Sequence, residues 1–231
     1  MKRFYSSVAI APQRGHFAVT LDGRPVKTPA KHPFLVPGEP LAQAVAAEWG
    51  AQEDDILPET MPLTRFVNTA HDRVADQRGD VVEAVAAYAG SDLLCYRAEA
   101  PAELAALQAL EWDPYLDWAT ARFDARLTVT AGIVPVTQEA AALDRLKTAV
   151  AAFDPFALAA LHTATTVTGS LVLALAAAHG HRPADDIWRA ASLDETWQAD
   201  RWGEDDEAAA RRTALRGELD DAVRFLRLLD G

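Results

Sequence analysis

Alternating apolar and polar positions are confined to the first part of the chain. Residues 8–11 and 16–21 alternate in this way, which is typical of strands that bury one face. Asp22 and Gly23 follow the second run, and this dipeptide favours a two-residue hairpin turn. With a third extended piece at Phe34 to Val36, the pattern predicts a small antiparallel sheet.

Helical spacing takes over from Pro40. The first predicted helix has Leu41, Val45 and Trp49 on one face and ends at Gly50. From Pro101 onward nearly every segment has helical periodicity. The sequence therefore predicts an α+β protein, with a mixed domain over residues 1–100 that has a small sheet and flanking helices, followed by an all-α domain over 101–231.

Four segments carry more specific expectations. Residues 92–97 read as a buried extended piece that returns to the N-terminal sheet, and Thr128 to Pro135 as an isolated extended linker. Asp113-Pro114 is expected to restart a helix. Thr163 to Ala178 reads as one helix through Gly169 and Ser170, and its apolar part, Leu171 to Ala178, is expected at the centre of a helical bundle.

Leu193 to Arg212 is the stretch with the densest chemistry. Read as one helix that ends near Trp202, it places Glu195 on a mostly apolar stripe between Trp188 and Trp202. A carboxylate flanked by aromatic rings is either paired inside the protein or available to a partner, because an unpaired buried charge is costly.

The acids after Gly203 have a simpler interpretation. Glu204 to Glu207 crowd the start of the next helix, where the helix dipole favours negative charge. Most of them are expected to form a capping cluster at a helix corner. We assign Trp49, Trp112 and Trp118 to the core, and we keep Glu195, Gln198, Trp202 and Asp205 as candidates for partner binding.

Composition narrows the classes of function. The net charge of −12 is uneven, because residues 1–34 carry about +5 and the remainder about −17. An acidic body argues against nucleic acid or an anionic membrane as the main partner. The single cysteine, Cys95, excludes an internal disulfide and a cysteine-based zinc site. The longest apolar run is too short for a membrane span, so the expectation is a soluble protein of the bacterial cytoplasm.

Enzyme signatures are largely missing from the sequence. It has no phosphate-binding glycine loop, dinucleotide fingerprint or nucleophile elbow. His179 and His181 are the only close histidines, and their spacing is weak support for a metal. We therefore predict no catalytic residues, no cofactor and no metal. A small hydrolase that uses Glu195 as a carboxylate of raised pKa, and a scaffold for some other complex, stay open as alternatives.

The order of several motifs resembles a known family, the assembly chaperones that bind the alpha subunit of F1 ATP synthase. The similarity covers nearly the whole chain, and the matching segments are Leu21 to Pro29, Met61 to Arg65 with Asn68 to Arg73, Asp92 to Arg97, Trp112 to Pro114, and Leu193 to Asp205. The resemblance implies a β-containing domain followed by an all-α domain, and a bacterial relative of the mitochondrial F1 assembly factor.

The resemblance also implies a partner and a site. The partner would be the unassembled F1 alpha subunit, bound by a monomer that is not an enzyme. The family's functionally sensitive glutamate lies in the C-terminal acidic, tryptophan-rich stretch. Glu195 is the position onto which it is carried, and Glu204 is the competing alignment.

Overall fold

The structure is a computed structural model that describes residues 1–132 and 134–230. It divides into two compact units. The first holds Met1–Arg78, Asp154–Ala160 and the segment from Arg224 onward, and the second holds Gly79–Phe153 and Leu161–Val223. The architecture is α+β, as predicted. The predicted boundary at residue 100 differs from this division, since residues 79–100 are part of the second unit; domains 1–100 and 101–231 stay a prediction.

A small sheet organises the first unit. Strand β2 (His16–Leu21) is central, with β1 (Val8–Gln13) antiparallel on one side and two short strands, β3 (Arg24–Pro25) and β4 (Leu35–Val36), antiparallel on the other. Leu21 pairs with Arg24 across a turn in which both Asp22 and Gly23 have positive φ. The predicted two-residue hairpin turn is therefore confirmed.

Two α-helices follow the sheet in the N-terminal segment of this unit. They are α1 (Glu39–Gly50) and α2 (Pro62–Thr69), and α2 continues into a π-helical segment, Ala70–Val74. The Glu48 carboxylate on α1 accepts hydrogen bonds from the backbone N–H of Leu63 and of Thr64, at 2.7 and 2.8 Å. Those N–H groups lie in the first turn of α2, where no carbonyl of the helix itself can accept them. Glu48 therefore fixes the start of α2.

Helices make up most of the second unit. In chain order they are α3 (Arg78–Ala87), α4 (Ala102–Phe123), α5 (Ala140–Ala151), α6 (Pro155–Thr168), α7 (Leu171–Ala178), α8 (Ala184–Ala191), α9 (Leu193–Trp202) and α10 (Asp206–Asp230), of which α6 and α10 also extend into the first unit. Helix α7 is buried along its length, with every residue from Leu171 to Ala177 at most 4% exposed. This burial is what a central helix requires, and its place at the centre of a helical bundle stays a prediction.

Four local expectations were wrong. Tyr96–Arg97 forms a strand, β5, that pairs in parallel with β6 (Thr130–Ala131) and not with the N-terminal sheet, so the segment from Thr128 to Pro135 is not isolated either. Ile133, inside that segment, lies outside the described residues. Alternation alone identifies extended backbone, whereas the choice of partner strand depends on tertiary packing.

The other two errors concern helix boundaries. Helix α4 runs through Pro114 without a restart, and Leu110, whose carbonyl loses its helical donor at this proline, is 71% exposed. The helix predicted from Thr163 to Ala178 is instead two helices, α6 and α7. Gly169 takes a φ of 64° between them, and the Ser170 side chain caps α7 by accepting from Leu173 N–H.

Candidate functional site

The corner between α9 and α10 contains a pocket of about 230 Å³. Three of the four predicted partner-binding residues, Glu195, Gln198 and Asp205, line it, and Trp202 does not. The remaining lining residues come from the same two helices and the break between them: Ala199, Gly203, Glu204, Ala208, Arg211, Arg212 and Leu215. The structure therefore brings most of the predicted surface together around one concavity.

The helix break at Gly203 creates this corner. Gly203 has a φ of 80°, a left-handed conformation that side chains rarely adopt, and its N–H closes α9 on the carbonyl of Ala199 at 2.8 Å. Asp205 then starts α10, because its Oδ1 accepts a hydrogen bond from Ala208 N–H at 2.8 Å. Asp205 is thus a helix cap, in agreement with the capping interpretation of the acidic run, and its side chain also faces the pocket.

Glu195 lies in an environment different from the predicted one. Helices α8 and α9 are separate, with Ser192 between them, so the stripe from Trp188 through Glu195 to Trp202 does not form along one helix. Glu195 is exposed, in the first turn of α9. Within residues 1–132 and 134–230 it has no ion-pair partner. The prediction of one helix through this stripe is therefore wrong, because the break at Ser192 separates Trp188 from Glu195 and Trp202.

Glu204, the competing glutamate, is engaged within the protein. Its carboxylate lies 2.9 Å from a terminal nitrogen of Arg212, and the other terminal nitrogen of Arg212 lies 3.4 Å from the hydroxyl of Thr196. This arginine therefore links α10 to α9 and neutralises one acid of the corner. Of the two glutamates, Glu195 is the one whose charge remains available to a partner.

Trp202 is the exposed aromatic residue of this corner. It is the last residue of α9 and is 77% exposed. By contrast, Trp112 is fully buried, and Trp49 and Trp118 are partly buried. The prediction that separated Trp202 from these three is confirmed in terms of burial.

Sequence reasoning missed the basic residues of the pocket. Arg211 and Arg212 follow the acidic run by a little more than one helical turn of α10, which returns them toward α9. Periodicity within α10 alone does not reveal this position, because residues of α9 also line the pocket. The pocket consequently has mixed charge, with Arg211 and Arg212 beside Glu195, Glu204 and Asp205.

A buried network beneath the helices of this unit explains two of the matching motifs. Asp92 is completely buried and accepts hydrogen bonds from the N–H groups of Leu94 and Val172, at 3.1 and 3.0 Å. Burial raises the pKa of this carboxyl from 3.8 to about 6, although the hydrogen bonds oppose the shift. Asp92 therefore anchors the start of α7, the buried helix.

Arg97 and Trp112 form the second part of the network. The Arg97 guanidinium contacts an Asp113 carboxylate oxygen at 2.7 Å, donates to the carbonyl of Leu94 at 3.0 Å and lies 5.1 Å from the centroid of the Trp112 ring. The indole N–H of Trp112 donates to the carbonyl of Ala190 at 2.8 Å. The segments Asp92 to Arg97 and Trp112 to Pro114 thus hold β5, α4 and the end of α8 together.

The remaining chemical candidates have structural surroundings. Cys95 is buried, and burial together with the nearby Asp92 charge raises the pKa of its thiol to about 12, which keeps it protonated near neutral pH. His181 stacks on Trp118, and His179 lies among aromatic rings. In the part of the chain that the structure describes, no group of three His, Cys, Asp or Glu could hold a metal ion, and no helix is long and apolar enough to cross a membrane.

Comparisons by sequence and by structure agree on one family. The family described as ATP12 chaperone protein matches residues 2–120. The crystal structure of Atp12 from Paracoccus denitrificans is 43% identical, has a TM-score of 0.95 and is covered over 98% of its length by 99% of this chain. An aspartate-to-lysine mutant of the same Paracoccus protein has a TM-score of 0.96 at 43% identity, with 99% and 97% of the two chains covered.

A eukaryotic relative extends the comparison. The mitochondrial protein atp12 of Schizosaccharomyces pombe is 24% identical over 225 residues, which is 90% of this chain and 75% of the yeast protein. The match to residues 2–120 covers half of the chain, and the structural similarity covers nearly all of it. The chain therefore belongs to the ATP12 chaperone family.

Proposed function

We propose that this protein is an assembly chaperone for the F1 sector of ATP synthase, and that it binds the unassembled alpha subunit through the α9–α10 corner. The bound chaperone shields the surface that the beta subunits later cover. The observation that carries the proposal is the position of Glu195, an exposed carboxylate without an ion-pair partner in the described residues, on the pocket at the α9–α10 corner, on the helix that ends with the exposed Trp202.

The physical task of such a chaperone fits this surface. An isolated subunit exposes apolar area that its neighbours cover in the finished complex, and this area drives aggregation. Tryptophan and charged side chains are frequent anchors of protein interfaces. Trp202 supplies the apolar contact and Glu195 a charge that complements a cationic group on the client. Gln198 and Asp205 line the same pocket and contribute polar contacts.

Further parts of the proposal concern chemistry and location. We place the protein in the bacterial cytoplasm, as a monomer without catalytic activity. A hydrolase that relies on Glu195 would need an apolar setting that raises the pKa of its carboxyl. Glu195 is instead exposed, so this alternative loses the feature that motivated it.

The test is an aggregation assay on isolated F1 alpha subunit, with light scattering as the readout and with EDTA present and ATP omitted. We expect the purified protein to suppress scattering under these conditions, because shielding by a complementary surface requires neither nucleotide nor metal. A strict requirement for ATP would contradict this part of the proposal.

Glu195→Lys is the decisive variant and Glu207→Lys is its matched control. Glu195 and Glu207 are both exposed, and each lies in the first turn of its helix. Each substitution therefore loses a similar interaction with the helix dipole, about 0.3 to 1 kcal/mol. Glu207 does not line the pocket. We expect both variants to melt close to the wild-type temperature, and only Glu195→Lys to lose client protection, because it places repulsion where attraction had been.

Two results would overturn this assignment. One is a large drop in the melting temperature of Glu195→Lys alone, which would make Glu195 a structural residue. The other is equal protection by both variants, which would place the client elsewhere on the protein.

A further inference from the structure

A second pocket lies in the same unit, away from the α9–α10 corner. It has a volume of about 400 Å³ and shares no residue with the pocket at Glu195. Its lining comes from the end of α4, one face of α5 and the turn after α7, and includes Arg122, Phe123, Arg145, Thr148, Ala149 and His179. Pockets of this size are in the lower range of small-molecule sites.

One wall of this pocket is aromatic. The ring centroids of Phe123 and His179 are 5.6 Å apart, and Trp118 packs edge-on against Phe123 at 5.3 Å. Behind them, His181 stacks on Trp118 at 4.9 Å and Phe153 lies 5.6 Å from His179. His179 packs against several of these rings, which limits the rotamers of its side chain. The wall therefore offers a preformed apolar surface to a flat ligand.

The rim of the pocket is cationic, in a protein whose net charge is −12. Arg145 is held in place by Asp124, through a hydrogen bond of 2.7 Å to its carbonyl and a contact of 3.0 Å to its carboxylate. Arg122 lies over the Phe123 ring, with its guanidinium carbon 5.6 Å from the centroid. Among the described residues no carboxylate lines the pocket, and Asp124 balances only one of the two arginines.

Charge and shape together define the ligand. The apolar wall selects a planar or aliphatic body, and the two guanidinium groups favour a planar anion that accepts parallel hydrogen bonds. We propose that this pocket binds a small free carboxylate with an aromatic or compact apolar body. The pocket volume of about 400 Å³ has room for one such molecule. A free ligand therefore fits the lining better than a longer peptide. The site is independent of client binding at the corner.

Isothermal titration calorimetry with phenylacetate tests the proposal on the intact protein. We expect saturable binding with a Kd of roughly 1 to 10 mM, because phenylacetate has only about ten non-hydrogen atoms and each contributes little binding free energy. The neutral isostere phenylacetamide keeps the ring and removes the charge, so we expect its affinity to be lower by a factor of at least about ten.

Variants locate the binding site. Arg122→Gln and Arg145→Gln should each weaken phenylacetate binding several-fold, and Ala149→Phe should abolish it by filling the pocket. Arg126→Gln is the matched control, because Arg126 is exposed on the same stretch of chain and does not line the pocket. Thermal melts establish that each variant is folded.

Three outcomes would overturn the proposal. The first is the absence of saturable phenylacetate binding. The second is binding that survives Ala149→Phe or that responds equally to Arg126→Gln. The third is binding of the blocked dipeptide N-acetyl-Phe-Asp-amide in the absence of phenylacetate binding, because it would assign the pocket to a protein segment.

Discussion

Replacing Asp92 with asparagine tests how a single buried carboxylate positions the central helix α7. The two Asp92 oxygens accept separately, one from Leu94 N–H and the other from Val172 N–H. Asparagine retains one acceptor and turns a donor toward the other N–H group, so one backbone donor at the start of α7 loses its partner. An unsatisfied buried donor costs about 1 to 3 kcal/mol, and we expect Asp92→Asn to be destabilised at acid pH by about that amount.

The cost of this substitution depends on pH, and its sign follows from the pKa of Asp92. Burial raises this pKa from 3.8 to about 6, so the folded protein binds a proton more tightly than the unfolded chain. The stabilisation from the protonated carboxyl is fully present below about pH 4 and is lost as pH rises through about 6. A shift of about 2 pKa units corresponds to about 3 kcal/mol. Asparagine does not titrate and avoids this loss.

The assay is urea unfolding of wild type and Asp92→Asn at several pH values from 4 to 8, at low protein concentration. The difference in the free energy of unfolding between the two proteins isolates Asp92, because the other carboxylates contribute equally to both. We expect wild type to lose about 2 to 3 kcal/mol relative to the variant between pH 4 and pH 7.5. The variant should therefore be close to wild type, or more stable, above pH 7.

Asp22→Asn provides a control of opposite sign. The N–H groups of Ser7 and Ser6 lower the pKa of Asp22, so its stabilising contribution is present at neutral pH and is lost as pH falls. The difference between wild type and Asp22→Asn should therefore shrink toward acid pH. A pH-independent difference for Asp92→Asn, or a pH dependence with the same sign as that of Asp22→Asn, would refute the view that burial dominates the pKa of Asp92.

Two further substitutions separate the exposed tryptophan from a buried one. Trp202 is 77% exposed, so Trp202→Ala should change the free energy of unfolding by no more than about 0.5 kcal/mol. It should still impair protection of the F1 alpha subunit in the scattering assay. Unimpaired protection would show that Trp202 is not part of the client surface. Trp112 is fully buried and donates to the carbonyl of Ala190. Trp112→Phe should therefore lower the free energy of unfolding, measured in urea, by about 2 to 4 kcal/mol. A decrease below about 1 kcal/mol would show that this hydrogen bond contributes little.

Local patterns predicted the parts of the fold that depend on local physics. The turn at Asp22 and Gly23 has positive φ at two successive residues, and an Asp-Gly dipeptide is among the few that adopt this conformation readily. The burial of α7 follows from an uninterrupted apolar run. The pairing of β5 with β6 was missed because residues 96–97 and 130–131 are distant in sequence, and nothing in either segment identifies its partner.

The candidate site was predictable in position and less so in electrostatics. Gly203 and the acids after it indicated a helix corner, and the structure places Glu195, Gln198 and Asp205 around it. The break at Ser192 has no such signal, since serine is tolerated inside helices, and it removed Glu195 from the aromatic stripe. Arg212 neutralises Glu204 through a contact between α10 and the break that precedes it, which periodicity within one helix does not reveal.

The acids of this chain differ in what their oxygens already accept, and this difference separates structure from recognition. Asp92, Glu48 and Asp22 accept hydrogen bonds from backbone N–H groups of distant segments, so replacing any of them disturbs the fold. Glu204 is held by Arg212. Glu195 is exposed and has none of these contacts among the described residues. A charge without an internal role can be reversed at little cost to stability, and so the effect of reversing it on client protection reports on binding alone.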